Sequence, residues 1–287
     1  VPQLHLSRLE ATGNDFLVLV DLDDRFGLDV LPREVRARLC DRAHGPGADG
    51  LIRVLPGTAG AALTFELTNA DGSPAEMSGN GMRCLAAVAV WNRYVEGSAF
   101  SVVDGAGRVH AVEYAETPET AFARVDMGPA TFDPERIPLD APSPFGLHFD
   151  VDGETFAADA AGMGNPHCVV VVDDPATTAV ASVGPAIESD ARFPNRTNVM
   201  FVAVDGKAAL RMRSWERGVG ETRSCGTGAC AATAVTHRRG VVGEAVAVDV
   251  AGGRLNVTLE PETIWLGGPV TQVGELAVDL RALGVAP

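Results

Sequence analysis

No stretch of the chain approaches the ~20 consecutive apolar residues that a membrane-spanning helix needs, and no basic-then-apolar leader opens it. The expectation is therefore a cytoplasmic protein without membrane contact. Cysteine is scarce: Cys40, Cys84, Cys168, Cys225 and Cys230 form no metal-ligand spacing, and an odd number closes no disulfide framework. Reduced thiols are expected. Positive charge is also in deficit, 23 Lys and Arg against 38 Asp and Glu, for a net charge of −15. That balance repels nucleic acid and anionic membrane surfaces and says little about a zwitterionic small molecule. Glycine, by contrast, is abundant at 32 of 287 residues. With short valine-rich runs it predicts a strand-rich fold with tight turns and excludes a helical bundle.

The run Glu216 to Ala232, ERGVGETRSCGTGACAA, places one cysteine in a glycine-rich turn before small apolar residues suited to a buried helix. Cys225 at such a helix start should feel the positive end of the helix dipole, which favours thiolate over thiol. The pKa is expected to fall from about 8.5 toward neutrality. A small core cysteine beside a glycine turn is the plain alternative. Glu216, Arg217, Glu221 and Arg223 close by favour the reactive reading.

The same arrangement occurs earlier, where Ser78 precedes Gly79, Asn80 and Gly81 and an apolar run follows. Ser78 and Cys225 lie 147 residues apart. Gly13-Asn14 with Gly164-Asn165, Gly107-Arg108 with Gly253-Arg254, and Gly128-Pro129 with Gly268-Pro269 repeat in the same order at similar offsets. An internal duplication follows, with two halves that each present a helix-opening turn. One proton-handling side chain from each half could then face either side of a bound molecule. The proline-dense stretch from Gly128 to Phe145 is the expected connection between the halves. Domains of 1–128 and 129–273 are predicted, with the tail from Gly274 a candidate to return to the first.

Along the chain, strands are expected at Leu4 to Leu9, Phe16 to Val20, Ala62 to Leu67 and Ala121 to Met127, and a hairpin from Phe100 to Glu113. Helices are expected from Leu31 to Cys40 and from Met82 to Tyr94, the second too apolar for a surface. The second half repeats this with strands at Phe149 to Ala157, Cys168 to Val172 and from Asn198, a short helix near Pro185 to Arg192, and a helix from Ala229 to His237. Asn14, Asn69 and Asn165 lie in turns, where asparagine is usually structural. The repetition of Asn14 by Asn165, and the closeness of Asn69 to Ser78, give them further weight. His167 could cap its turn or face substrate. Glu216 and Arg217 could be an exposed pair or charges aimed at a ligand's ammonium and carboxylate.

Taken together, GNDF at Gly13, GADG at Gly47, NADGS at Asn69, SGNGMRC at Ser78, GNPH at Gly164 and ERGVGETRSCGTGA at Glu216 resemble the motifs of the diaminopimelate epimerase family, in family order and nearly end to end. The resemblance implies an α+β fold of two pseudo-symmetric domains, each a mostly antiparallel strand layer wrapped around a central helix, with the site in the cleft between them. It also implies a homodimer, and interconversion of LL- and meso-diaminopimelate without pyridoxal phosphate or metal. Carried over by motif, Cys225 is one catalytic acid/base. Gly226, Thr227, Gly79 and Asn80 meet the reacting carboxylate, and Glu216 and His167 the reacting amine. Asn14, Asn69, Asn165, Asn198 and Arg217 hold the distal amino-acid end.

The chain departs from the pattern at Ser78, where the family has its other catalytic cysteine. A hydroxyl is a far weaker acid than a thiol and a good base only beside a group that takes its proton. Cys84, further into the helix, is expected in the core. Ser78 is accounted for by a natural Ser/Cys pair, as in the related proline racemase superfamily, by a changed substrate or reaction, or by an engineered replacement. Gly50 also stands where a glutamine often follows the GAD motif. The alternatives to the epimerase are another cofactor-independent racemase or dehydratase, and a catalytically silent amino-acid-binding protein.

Overall fold

The structure, a computed structural model, describes residues 3–75, 77–117 and 120–284. Residues 1, 2 and 285–287, at the outer ends of the expected first domain and its returning tail, lie outside them. The chain divides into two compact units, residues 1–125 with 268–287, and residues 126–267.

The first unit contains β1 (Gln3–Ala11), β2 (Asn14–Val20), α1 (Arg33–Cys40), β3 (Gly50–Pro56), β4 (Leu63–Asn69), β5 (Pro74–Ala75), α2 (Gly79–Trp91), β6 (Ala99–Val103), β7 (Val109–Glu116) and β8 (Ala121–Asp126), the last residue of β8 opening the second unit. The second contains β9 (Leu147–Val151), β10 (Glu154–Gly162), β11 (Pro166–Val171), α3 (Val180–Glu188), β12 (Asn198–Val204), β13 (Ala209–Glu216), β14 (Gly220–Thr222), α4 (Gly226–Arg238), β15 (Ala245–Val250) and β16 (Gly253–Glu260). The long strand β17 (Thr263–Asp279) then pairs with β16 over its first residues and with β1 over its last, before a 3-10 turn at Leu280–Leu283.

Strand pairing displays the duplication directly. In the first unit the order is β17, β1, β2, β3, β4, β6, β7, β8, with the contacts β2–β3 and β4–β6 parallel and the rest antiparallel. The second unit runs β9, β10, β11, β12, β13, β15, β16, β17, with β11–β12 and β13–β15 parallel. The two sequences of parallel and antiparallel contacts are the same. Helices α2 and α4 each have thirteen residues and begin 147 positions apart. Each helix packs on the corresponding strands of its unit, α2 on β1, β2, β3, β4 and β7, and α4 on β10, β11, β12, β13 and β16.

Period-2 alternation explains the layers. Leu17 and Leu19 of β2 join Val35 and Leu39 of α1 in one apolar cluster, whereas the alternate residues Phe16 and Val18 are buried outside that cluster. The second unit builds its counterpart from Phe156, Val180, Val183, Ile187 and Phe201 under α3. Helix α2 is buried from Gly79 to Ala89, so its lack of a polar face marks a core position. Among the described residues no helix is long and apolar enough to cross a membrane.

Several elements differ from expectation. Both central helices begin three residues early, because Gly79-Asn80-Gly81 and Gly226-Thr227-Gly228 form their first turns. Helix α2 stops at Trp91, and Arg93 turns the chain with a left-handed φ of 58°. The strand expected over Phe149 to Ala157 is a hairpin, turning at Asp152 and Gly153 with φ of 52° and 85°. Helix α3 spans Val180–Glu188, ahead of its expected place, with Pro185 inside.

Candidate functional site

The expected site residues divide between the units. In the first, Ser78 is the N-cap of α2, in extended conformation, and its Oγ accepts a hydrogen bond from the Gly81 amide at 3.1 Å. That bond satisfies one of the helix's unpartnered amides. A side chain at Gly81 would press on Ile52 at 3.2 Å and Phe65 at 3.3 Å, so glycine keeps the first turn against the sheet. Asn80, buried, donates to Asn14 Oδ1 at 2.6 Å, and Asn14 donates to Asp49 at 3.2 Å. Asn69 donates to Ser73 Oγ at 3.1 Å within its own turn. Cys84 is fully buried, and desolvation pushes its thiol up to about 12, as befits a core cysteine.

In the second unit Cys225 is the N-cap of α4, 4% exposed, and its side chain makes no capping bond. Its Sγ lies 3.6 Å from Thr227 Oγ1. The depressed pKa expected from the helix dipole is not found. Burial pushes the thiol well above its ordinary value, and the Glu216 carboxylate adds to the shift by its charge and by accepting the thiol's hydrogen bond, outweighing Thr227 and the Gly228 amide. Helix N–H groups do act in the expected direction. Desolvation and a neighbouring anion are the larger effects here.

Glu216, at the end of β13, accepts from Thr222 Oγ1 at 2.6 Å, and Thr222 is 3.1 Å from Ser214 Oγ. His167 is completely buried on β11, with Nε2 at 2.8 Å from Asn165 Oδ1. An amide oxygen only accepts, so Nε2 carries the proton and Nδ1 is left as a buried acceptor without a partner. Desolvation, and secondarily Arg217, lower the imidazole to about 3. It is neutral throughout the physiological range. Asn198 donates to the Pro166 carbonyl at 3.0 Å and accepts from the Arg217 amide at 2.9 Å, joining β11, β12 and the turn after β13. The Arg217 guanidinium donates to the Asn195 carbonyl at 2.8 Å. Gly226 and Thr227 open α4, so their amides lie in its first turn beside Cys225.

The family model described as Diaminopimelate epimerase matches residues 9–133 and 160–273, most of both units. The chain belongs to the diaminopimelate epimerase family. It is accordingly an isomerase. A diaminopimelate epimerase of Moorella thermoacetica is 39% identical over 288 residues, covering 96% of this chain and all of that protein. One from Acinetobacter baumannii strain AYE is 38% identical, covering 97% of this chain and 98% of its own length. Among solved structures, a probable proline racemase from Agrobacterium radiobacter K84 has a TM-score of 0.73 at 18% identity, covering 99% of this chain and 96% of that one. A Bacillus anthracis protein of the phenazine biosynthesis PhzF family has a TM-score of 0.72 at 14% identity, covering 97% and 100%. At such identities these two speak for the fold alone.

Within this diaminopimelate epimerase family member, the structure adds residues that the motifs did not single out. Glu188, at the end of α3, accepts from Trp215 Nε1 at 2.6 Å and from the Gly218 amide at 2.9 Å. It therefore grips both sides of Glu216-Arg217. Only its place in an ill-defined helical segment was visible in sequence. Arg196 Nη1 also lies 3.5 Å from Glu188 Oε1, so Glu188→Gln puts an amide NH₂ against either Trp215 Nε1 or the pair of donors from Gly218 and Arg196. A loss of about 1–3 kcal/mol is expected from the unsatisfied group, measured by urea unfolding.

Gly228 is equally constrained, since a Cβ there would lie 2.2 Å from Met200 Sδ and 3.1 Å from Cys225 Sγ. Gly228→Ala is expected to cost about 1–3 kcal/mol by overpacking. A fall in melting temperature, accompanied by an altered alkylation rate at Cys225, is the measurement that checks it.

Proposed function

We propose that this chain interconverts LL- and meso-diaminopimelate by two-sided proton transfer at one α-carbon, Cys225 serving one face and Ser78 the other. The observation that carries the reading is the pair of helix-opening turns, equivalent by duplication, one capped by Ser78 and one by a Cys225 thiol set against Glu216. In this reading Cys225, as thiolate, takes the α-proton. The electron pair of the broken C–H bond spreads into the carboxylate, stabilised by the amides of Gly226, Thr227, Gly79 and Asn80. Ser78 then delivers its hydroxyl proton to the opposite face, and the resting forms return as the Ser78 alkoxide takes a proton from solvent and the Cys225 thiol releases the abstracted one to it.

The raised thiol pKa fits this sequence of events. The substrate ammonium brings a positive charge to Glu216 and gives the Nδ1 lone pair of His167 a donor. With the Glu216 charge neutralised, the anionic field on Cys225 weakens and the thiol acidifies as the substrate arrives. The base then forms where its proton target already sits. Asn14, Asn69, Asn165, Asn198 and Arg217 hold the distal end and select one stereocentre. The same reading makes the enzyme a cytoplasmic homodimer, for which light scattering in solution tests the dimer.

One observation favours a narrower reading. Ser78 Oγ is occupied as a helix cap, so Cys225 could exchange the α-proton alone, without inversion. Proton NMR of each isomer incubated with the protein in D₂O separates the two. Exchange with inversion from both isomers is expected. Exchange from a single isomer without inversion would leave Cys225 as a lone base, and binding without any exchange would mean a silent binder.

A further inference from the structure

Arg83 lies in the second turn of α2 and is completely shielded from solvent, the largest side chain to be so among the described residues. Its Nη2 donates to Asn80 Oδ1 at 2.6 Å and to Thr12 Oγ1 at 2.9 Å, and its Nη1 to the Pro269 carbonyl at 3.0 Å. Its Nε has no partner. Burial without a carboxylate in contact lowers the guanidinium to about 10, still charged at neutral pH. A Cβ on Gly268 would stand 2.1 Å from Nη1, so the chain keeps that space free of side chain. A buried cation with an orphaned donor is a poor stabilising device. Its contacts say what else it does.

From Arg83 a chain of bonds runs in one sense: Arg83 to Asn80 Oδ1 at 2.6 Å, Asn80 Nδ2 to Asn14 Oδ1 at 2.6 Å, and Asn14 Nδ2 to Asp49 Oδ2 at 3.2 Å. Arginine can only donate and an ionised aspartate can only accept, so the two ends permit a single orientation of both amides. Reversing either would face an NH₂ toward a guanidinium or an oxygen toward a carboxylate. Arg42 Nη2 anchors the anionic end at 2.7 Å from Asp49 Oδ1. Arg83 also holds the turn that leads into Asn14, because Thr12 sits there with a left-handed φ of 53°.

We propose that Arg83 is a positioning residue: it fixes the amide orientation of Asn80 and, through it, of Asn14, so that Asn14 offers substrate an N–H for a carboxylate oxygen. The assignment rests on the reading of Asn14 as part of the distal-end subsite. With Oδ1 engaged by Asn80 and one amide hydrogen by Asp49, the second hydrogen is what Asn14 offers. A distal carboxylate, not a distal ammonium, is the group it selects.

Arg83→Met tests this, because it replaces the buried cation by an apolar chain of similar length. The melting temperature should fall, because Asn80 Oδ1, Thr12 Oγ1 and the Pro269 carbonyl lose their donor, while KM for diaminopimelate in the D₂O exchange assay rises about 10-fold or more with kcat changing less than about 3-fold. In an Asn14→Ala background the same substitution should add almost nothing, since the residue it acts through is gone. The side-chain amide resonances of Asn14 and Asn80 in ¹⁵N-edited NMR report on orientation without substrate, and should shift toward free-amide positions in Arg83→Met. If Arg83→Met does not fold, Asp49→Asn releases the other end of the chain and should shift the Asn14 resonances and raise KM in the same way. Unchanged amide resonances, or a KM effect fully additive with Asn14→Ala, would overturn the proposal. Should the unaltered protein bind no diaminopimelate, the substrate reading falls while the amide resonances still decide the role of Arg83.

Discussion

Replacing Cys225 by alanine is expected to reduce α-proton exchange by about 10³- to 10⁴-fold for both isomers, the full contribution of a positioned acid/base. The reason lies in where the thiol is held. It is buried at the start of α4, hydrogen-bonded to Glu216 and beside the Gly226 and Thr227 amides of its own helix. Alanine leaves those amides in place, so binding should survive with little change in affinity. Calorimetric titration together with the NMR exchange assay separates the two effects. The pH profile gives an independent check. With the thiol raised above its ordinary range, the thiolate is a minor species at neutral pH, and at limiting substrate the exchange rate should climb about tenfold per pH unit from 7 upward. A rate that falls with pH over that interval would assign the base elsewhere.

Ser78→Cys should act in the opposite direction, raising inversion by about 10²-fold. A Ser/Cys pair has unequal resting forms. The state with thiolate and hydroxyl is accessible, whereas the state with thiol and alkoxide is strongly disfavoured. Because the two epimers need opposite forms, the enzyme meets the second epimer mostly in the wrong one. A second thiol makes the forms comparable. The substitution should cost about 0.5–1 kcal/mol of stability, because a cysteine caps a helix less well than a serine. Cys225 itself makes no such bond to its helix. The variant is therefore expected to be faster and slightly less stable, with both changes measured on one preparation. No gain in inversion would mean that Ser78 faces something other than the α-carbon.

Much of this was legible in the residues. The strand Asn198–Val204 and the repetition of glycine turns at nearly constant offset follow from local pattern, and the pairing order of both units confirms the duplication that the offsets suggest. The expected helix starts fall three residues late because glycine disfavours helix interiors. At a first turn the penalty is offset by close packing, of Gly81 on Phe65 and of Gly228 on Met200. The expected pKa shift of Cys225 has the wrong direction because the dipole is visible in sequence and the desolvation is not. Arg83 and Glu188 carry no signal in sequence for the same reason. One lies inside an apolar run and the other in a doubtful helix, and their importance comes from partners distant in the chain: Pro269 for Arg83, and Trp215 and Gly218 for Glu188.

The continuous strand β17 sets the order in which the molecule can be completed. Strand β1 leads its unit in sequence, yet its outer neighbour is residues 271–279, so during synthesis that edge waits unpaired until those residues have been translated. The unit formed by residues 126–267 meets no such delay. The half that is made first is thus finished after the other, and loss of residues 271–279 would strike the sheet of the first unit.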